Sequence, residues 1–218
     1  VPGATSLRAF CFREGRFCLT SLWTLQLLVP ADRTCFPQVE AAIRGGVTLV
    51  QLREKERGDG ETYRVGMELR DLVRRAGAAF FVNDRTDLAL ALAADGVHVG
   101  QGDLPVDAVR RIAPGLLIGA SSHDLESARR VQAADYVAFG PVFPTPSKED
   151  AAAPTGVAAL RQAAAEISRP LVAIGGIDAA NAAQLKNSGV AGLAVISAIL
   201  GASDPEAAAR RLREEFLA

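Results

Sequence analysis

A single (β/α)8 barrel of the TIM class is the fold this sequence predicts, and three observations predict it. From residue 25 onward, short β-rich apolar runs alternate with amphipathic stretches of helical period. Eight such units fit within residues 25–218, more than an open doubly wound sheet usually carries. The runs are apolar throughout, as parallel strands covered on both faces must be. An open dinucleotide-binding sheet would also tend to place a G-x-G-x-x-G turn after its first strand, and none is there.

Taken in order, the predicted strands are LQLLV (25–29), VTLVQL (47–52), AAFFV (78–82), GVHVG (96–100), LLIGA (116–120), YVAFG (136–140), PLVAI (170–174) and GLAVI (192–196). Between them, DLALALAA (87–94), DAVRRIA (107–113), LESARRVQ (125–132) and DAANAAQLKNSG (178–189) read as helices, the last with Gly189 as its C-cap. DPEAAARRLREEFL (204–217) is a closing helix. The first 24 residues, VPGATSLRAFCFREGRFCLTSLWT, lack the apolar centre and small-residue cleavage site of a signal peptide. They read as a short N-terminal extension (1–24) outside the core fold, with the barrel spanning 25–218.

A net charge of −1 gives no electrostatic footprint for nucleic acid, and 6% aromatic residues leave few stacking platforms. No apolar run reaches the roughly 18–20 residues a membrane span needs. Cys11, Cys18 and Cys35 cannot all pair with one another, and their spacing fits no zinc pattern. Free thiols in a reducing cytoplasm are the expectation. Barrels of this size are often monomers or dimers, so a homodimer stays among the expected assemblies.

In a barrel the reactive groups belong where strands run out into the following loops. The scarce residue types collect there. Strand 2 leads to Gln51, Arg53, Glu54 and Lys55, and strand 3 to Asn83, Asp84 and Arg85. Strand 4 carries His98 and leads to Gln101 and Asp103, while strand 5 leads to Ser121, Ser122 and His123. Strand 6 leads to Thr145, Ser147 and Lys148, strand 7 to Gly175 and Gly176, and strand 8 to Ile196 and Ser197. Two of only three lysines, Lys55 and Lys148, stand in such loops in a chain that otherwise uses arginine.

Gly175-Gly176 and Ile196-Ser197 read either as tight turns or as a phosphate cradle of backbone N–H groups. Asp84 and Asp103 could each be a helix N-cap. Together they are two carboxylates beside one pocket, a set that suits Mg2+ with substrate phosphates completing its oxygen ligands. With Arg53, Lys55, Arg85 and Lys148 on the same face, the charge balance favours a diphosphate over one phosphate monoester. His98, inside a strand, reads as a hydrogen-bonded structural residue; His123 is a candidate proton carrier. The long Pro- and Ala-rich loop from Pro141 to Thr155 reads as a slack surface loop or as a lid, and as a lid it would deliver Thr145, Ser147 and Lys148 to a phosphate.

Six stretches, VQLREK (50–55), NDRTDLALALAADGVHVGQGDLP (83–105), GASSH (119–123), FGPVFPTPSK (139–148), AIGGI (173–177) and AVISAI (194–199), resemble thiamine phosphate synthase in order and spacing, over residues 25 to 200. The resemblance implies an enzyme that joins hydroxymethylpyrimidine diphosphate to a thiazole phosphate by a dissociative, Mg2+-assisted course. It implies Asp84 and Asp103 as the metal ligands. Arg53, Lys55, Asn83 and Lys148 would contact the diphosphate, with Gln51 and Ser121 orienting the pyrimidine. Thr145, Ser147, Gly176, Ile196 and Ser197 would hold the thiazole phosphate or the departing diphosphate. This chain departs from the family pattern at VPAD, where a TD pair is usual in the family at the end of strand 1, at Ser147 in place of threonine, and at GASSH in place of a GVSTH-like run. Thiazole tautomerases share the fold but would rely on His123 and need no metal cluster. A non-catalytic thiamine-phosphate sensor would have no use for the two carboxylates, and a phosphosugar isomerase would need a general base that is not evident.

Overall fold

Eight parallel strands close into a barrel in chain order, β8 returning to pair with β1. The structure is a computed structural model that describes residues 19–145 and 153–217. The strands are β1 (Leu25–Val29), β2 (Leu49–Leu52), β3 (Ala79–Asn83), β4 (Gly96–Val99), β5 (Leu117–Ser122), β6 (Tyr136–Phe139), β7 (Leu171–Ile174) and β8 (Gly192–Val195). Every apolar run therefore holds a strand. β5 runs on to Ser122, which makes Ser121 a strand residue rather than a loop residue. The helices are α1 (Leu19–Leu22), α2 (Phe36–Arg44), α3 (Asp59–Arg75), α4 (Thr86–Ala91), α5 (Val106–Ile112), α6 (Leu125–Arg130), α7 (Gly156–Glu166), α8 (Ser197–Leu200) and α9 (Pro205–Leu217).

Strand parity divides the core in two. Leu25, Leu27 and Val29 point outward into the apolar layer beneath the helices, while Gln26 and Leu28 point into the barrel. Inside, Leu49, Phe81, Leu117, Tyr136 and Val172 form a second, smaller cluster. Two glycines make room for its aromatic members. A Cβ on Gly96 would lie 2.3 Å from the Phe81 ring, and one on Gly119 would lie 2.2 Å from the Tyr136 ring. At the opposite end from the strand exits, one device recurs. The residue just before β2, β4 and β6 (Thr48, Asp95 and Asp135) accepts a backbone N–H from the strand before it, at 3.2, 2.9 and 2.7 Å from Leu25, Phe80 and Ile118.

Two sequence expectations are corrected here. Residues 178–189 do not form an α-helix; they contain a short 3-10 turn, Ala182–Leu185. Asp178 Oδ1 accepts the N–H groups of Ala180 and Asn181, and Asn181 Oδ1 accepts that of Asp178. These side chains capture the backbone donors before a helix can form. The boundary at residue 24 also moves. Leu22 and Trp23 are buried, and Trp23 stacks on Tyr136 with ring centroids 4.5 Å apart, closing the barrel floor. A Cβ on Gly192 would sit 1.8 Å from the Trp23 carbonyl oxygen, so β8 is shaped to accept this crossing. Residues 1–18 lie outside the described residues. Among the described residues, no helix is long and apolar enough to cross a membrane.

Candidate active site

A cavity of about 680 Å3 opens at the C-terminal end of the strands, the end where barrel enzymes carry their chemistry. Its first wall is built by β2 and β3. Past Leu52 the chain keeps its parity, so Gln51, Arg53 and Lys55 all face the cavity, joined by Asn83 and Asp84. Gln51 is 2% exposed, and its Oε1 has no hydrogen-bond partner among the described residues. A buried acceptor left open in this way is costly unless a ligand satisfies it.

Asp84 adopts a left-handed backbone (φ 62°) and donates its N–H to the His98 carbonyl at 2.7 Å. Aspartate tolerates that conformation better than most residues. The strained turn brings its carboxylate to the Lys55 ammonium, with which it pairs. Asp103, after β4, accepts the Gly100 N–H at 2.7 Å. Neither aspartate caps a helix: the N-cap positions of α4 and α5 are Arg85 and Pro105. Burial raises the Asp103 pKa, and the neighbouring Asp84 carboxyl raises it further. Two carboxylates crowded beside one pocket, with no third acidic, histidine or cysteine ligand grouped with them among the described residues, fit a hard divalent ion that takes its remaining oxygens from a substrate.

Arg85 does not join this cluster. Its guanidinium is held by Asp59 and Asp87, each at 2.6 Å, outside the cavity lining. Those two carboxylates pull it toward α3 and α4, a competition that the spacing of strand ends does not reveal.

Ser121, on β5, faces the cavity from a buried polar chain. Its Oγ lies 2.8 Å from His98 Nε2, and His98 Nδ1 lies 2.8 Å from the Tyr136 hydroxyl. His98 is thus the structural residue its strand position suggested. Burial holds its pKa down at about 4, opposed only by the Asp103 charge. The unfolded chain would take up this proton near pH 6.5, so His98 stabilises the fold fully above that value and progressively less as pH falls toward 4. Unfolding free energy should fall by about 2 kcal/mol between pH 7 and pH 5 on this account. Urea titrations at both pH values check it, and His98→Gln should flatten the difference.

The opposite wall comes from β6 to β8. Thr145, Gly176, Ile196 and Ser197 all line the cavity there. Gly175 and Gly176 have a packing role besides any ligand role. A Cβ on Gly175 would lie 2.4 Å from Pro141 Cβ, and one on Gly176 2.3 Å from the Pro144 carbonyl oxygen, so the base of the Pro141–Thr155 loop rests on these glycines. His123 also faces the cavity, with Nδ1 2.7 Å from the Gly140 carbonyl, to which it can only donate. Ser147 and Lys148 lie outside the described residues. Sequence reasoning passed over part of the lining, Asp178 and Gln26 included; Gln26 is 1% exposed, with its Nε2 unpartnered among the described residues. Its signal was a lone amide inside LQLLV, at the inward parity of β1.

The thiamine monophosphate synthase family model matches residues 25–199. A thiamine-phosphate synthase of Chloroflexus aurantiacus is 51% identical over 177 residues, 80% of this chain and 82% of that one. One from Pyrococcus furiosus is 45% identical over 195 residues, 87% of this chain and 94% of the relative. Among solved structures, the thiamine phosphate pyrophosphorylase from Pyrococcus furiosus superposes with a TM-score of 0.82 at 40% identity, covering 91% of this chain and 97% of that one.

Proposed function

This chain belongs to the thiamine monophosphate synthase family, and on that premise we propose that it joins an aminopyrimidine-methyl diphosphate to a thiazole phosphate, yielding thiamine phosphate and diphosphate. The observation that carries this reading is one cavity lined by two different sets of residues. Asp84, Asp103, Arg53 and Lys55 stand on one side, and Gly176, Ile196 and Ser197 on the other.

In this reading Asp84 and Asp103 hold Mg2+, which supplies neutralising positive charge at the diphosphate when bound. Arg53, Lys55, Asn83 and Lys148 receive the diphosphate oxygens, and Gln51 and Ser121 orient the pyrimidine. Thr145, Ser147, Gly176, Ile196 and Ser197 hold the thiazole phosphate. The carbon–oxygen bond breaks with its electron pair leaving on the diphosphate. The thiazole nitrogen then supplies the pair for the new carbon–nitrogen bond. The protein's work is to place charge and keep water from the cation. A neutral His98 with both ring nitrogens engaged suits a course that asks for little proton transfer.

Mixing the protein with the two substrates and Mg2+ should yield thiamine phosphate and diphosphate in equal amounts, and a chelator should stop both. Turnover that survives the chelator would remove the metal from the scheme. Folded protein that gives no product would remove the reaction.

A further inference from the structure

Glu54 stands between Arg53 and Lys55, and strand parity turns it away from the cavity that its neighbours face. Its carboxylate nonetheless organises that wall. Oε1 accepts the N–H groups of Lys55 at 2.8 Å, Glu56 at 2.8 Å and Arg57 at 3.1 Å, so residues 54–57 curl around one oxygen. Oε2 accepts the N–H of Ala31, from the loop after β1, at 3.0 Å. Arg53 N–H donates to the Val29 carbonyl at 2.7 Å. Two successive residues therefore fasten the β2–α3 loop to the end of β1, one through its backbone and one through its side chain. Burial works to raise the Glu54 pKa, but the backbone donors outweigh it and hold it below the usual glutamate value. Arg57 adds a charge partner, Nε lying 3.6 Å from Oε2.

Resting on the reading under "Proposed function", we infer that Glu54 is a positioning residue: it fixes the loop that aims Arg53 and Lys55 together, as a two-pronged clamp for a diphosphate. Glu54 touches no substrate. Without its carboxylate four backbone donors lose their acceptor, and the two cations are no longer held at one spacing. The thiazole phosphate wall, formed by residues that follow β6, β7 and β8, shares none of these bonds.

The test compares wild type with Glu54→Ala and Glu54→Gln, in the presence of Mg2+. Calorimetry gives affinities for inorganic diphosphate and inorganic phosphate, kinetics gives KM for each substrate, and thermal unfolding monitors the fold. Glu54→Ala should weaken inorganic diphosphate about tenfold or more and raise the KM of the diphosphate substrate in step, since misplacing a binding group by about 1 Å is worth factors up to a hundred. The KM for the thiazole phosphate should stay within about twofold, because that wall is independent. Glu54→Gln should recover much of the loss, since an amide oxygen can still take the three N–H groups of the curl.

A folded alanine variant that binds diphosphate as wild type does would overturn the inference. So would equal weakening of both substrates, which would mark Glu54 as merely structural. If the alanine variant does not fold, the glutamine variant decides: a selective partial loss for diphosphate supports the clamp, and wild-type affinity overturns it. Wild type that binds diphosphate but makes no thiamine phosphate would sink the proposed reaction, and the affinities alone would then judge Glu54. Wild type that binds no diphosphate overturns both.

Discussion

Asp103→Asn is expected to lower kcat/KM on the order of 1,000-fold while leaving the protein as stable as before or slightly more so, the loss being that of a charge placed for catalysis. Asparagine keeps the size of the side chain and an oxygen to accept the Gly100 N–H that Asp103 now receives at 2.7 Å. What disappears is a negative charge that burial and the Asp84 carboxyl already disfavour. Relief of like-charge crowding should hold or raise Tm, the opposite of what loss of a structural residue would do. Asp84→Asn should behave similarly, since asparagine also accepts the left-handed backbone at that position. Turnover measured against Mg2+ concentration, with Tm alongside, checks both. Wild-type rates in either variant would end the assignment of these aspartates to a metal.

Gly176→Ala should lower kcat/KM about 100-fold by moving the base of the β6–α7 loop. The residue sits at φ 66°, where an alanine is strained by roughly 1–2 kcal/mol. The added Cβ would also meet the Pro144 carbonyl oxygen at 2.3 Å and Phe143 backbone carbon at 2.8 Å. Backbone does not yield as the tip of a long side chain does, so residues 143–145 must shift, Thr145 among them. Gly77→Ala is the matched control: its φ is 86°, but nothing lies within 4 Å of the added methyl. The control should lose stability without losing activity. Equal activity in the two variants would mean that the loop base does not set the site.

Much of the architecture could be read from the chain because each strand is buried on both faces, and a run such as LQLLV has no other stable home. The segment after β7 misled because alanines and a leucine at helical spacing look amphipathic, while Asp178 and Asn181 compete for backbone donors in a way that periodicity does not register. Leu22 and Trp23 were hidden by their polar, cysteine-bearing surroundings; their burial depends on the far end of the barrel. In the cavity, Gln51, Asp84 and Asp103 were legible because strand exits are where a barrel gathers chemistry. Arg85 occupies such an exit too, yet its direction is set by Asp59, 26 residues away in the chain. Gln26 lies in mid-strand, where only inward parity distinguishes it from a tolerated polar residue.

Trp23 is the only tryptophan in the chain. It stacks on Tyr136, whose hydroxyl meets His98, whose other nitrogen meets Ser121 at the cavity wall. The unlabelled chain thus carries a single indole, excitable apart from its two tyrosines, beneath its cavity. Its emission maximum reports whether the barrel floor is dry, and its intensity can follow a ligand arriving at Ser121 in a stopped-flow trace, with no dye attached and no second indole to correct for.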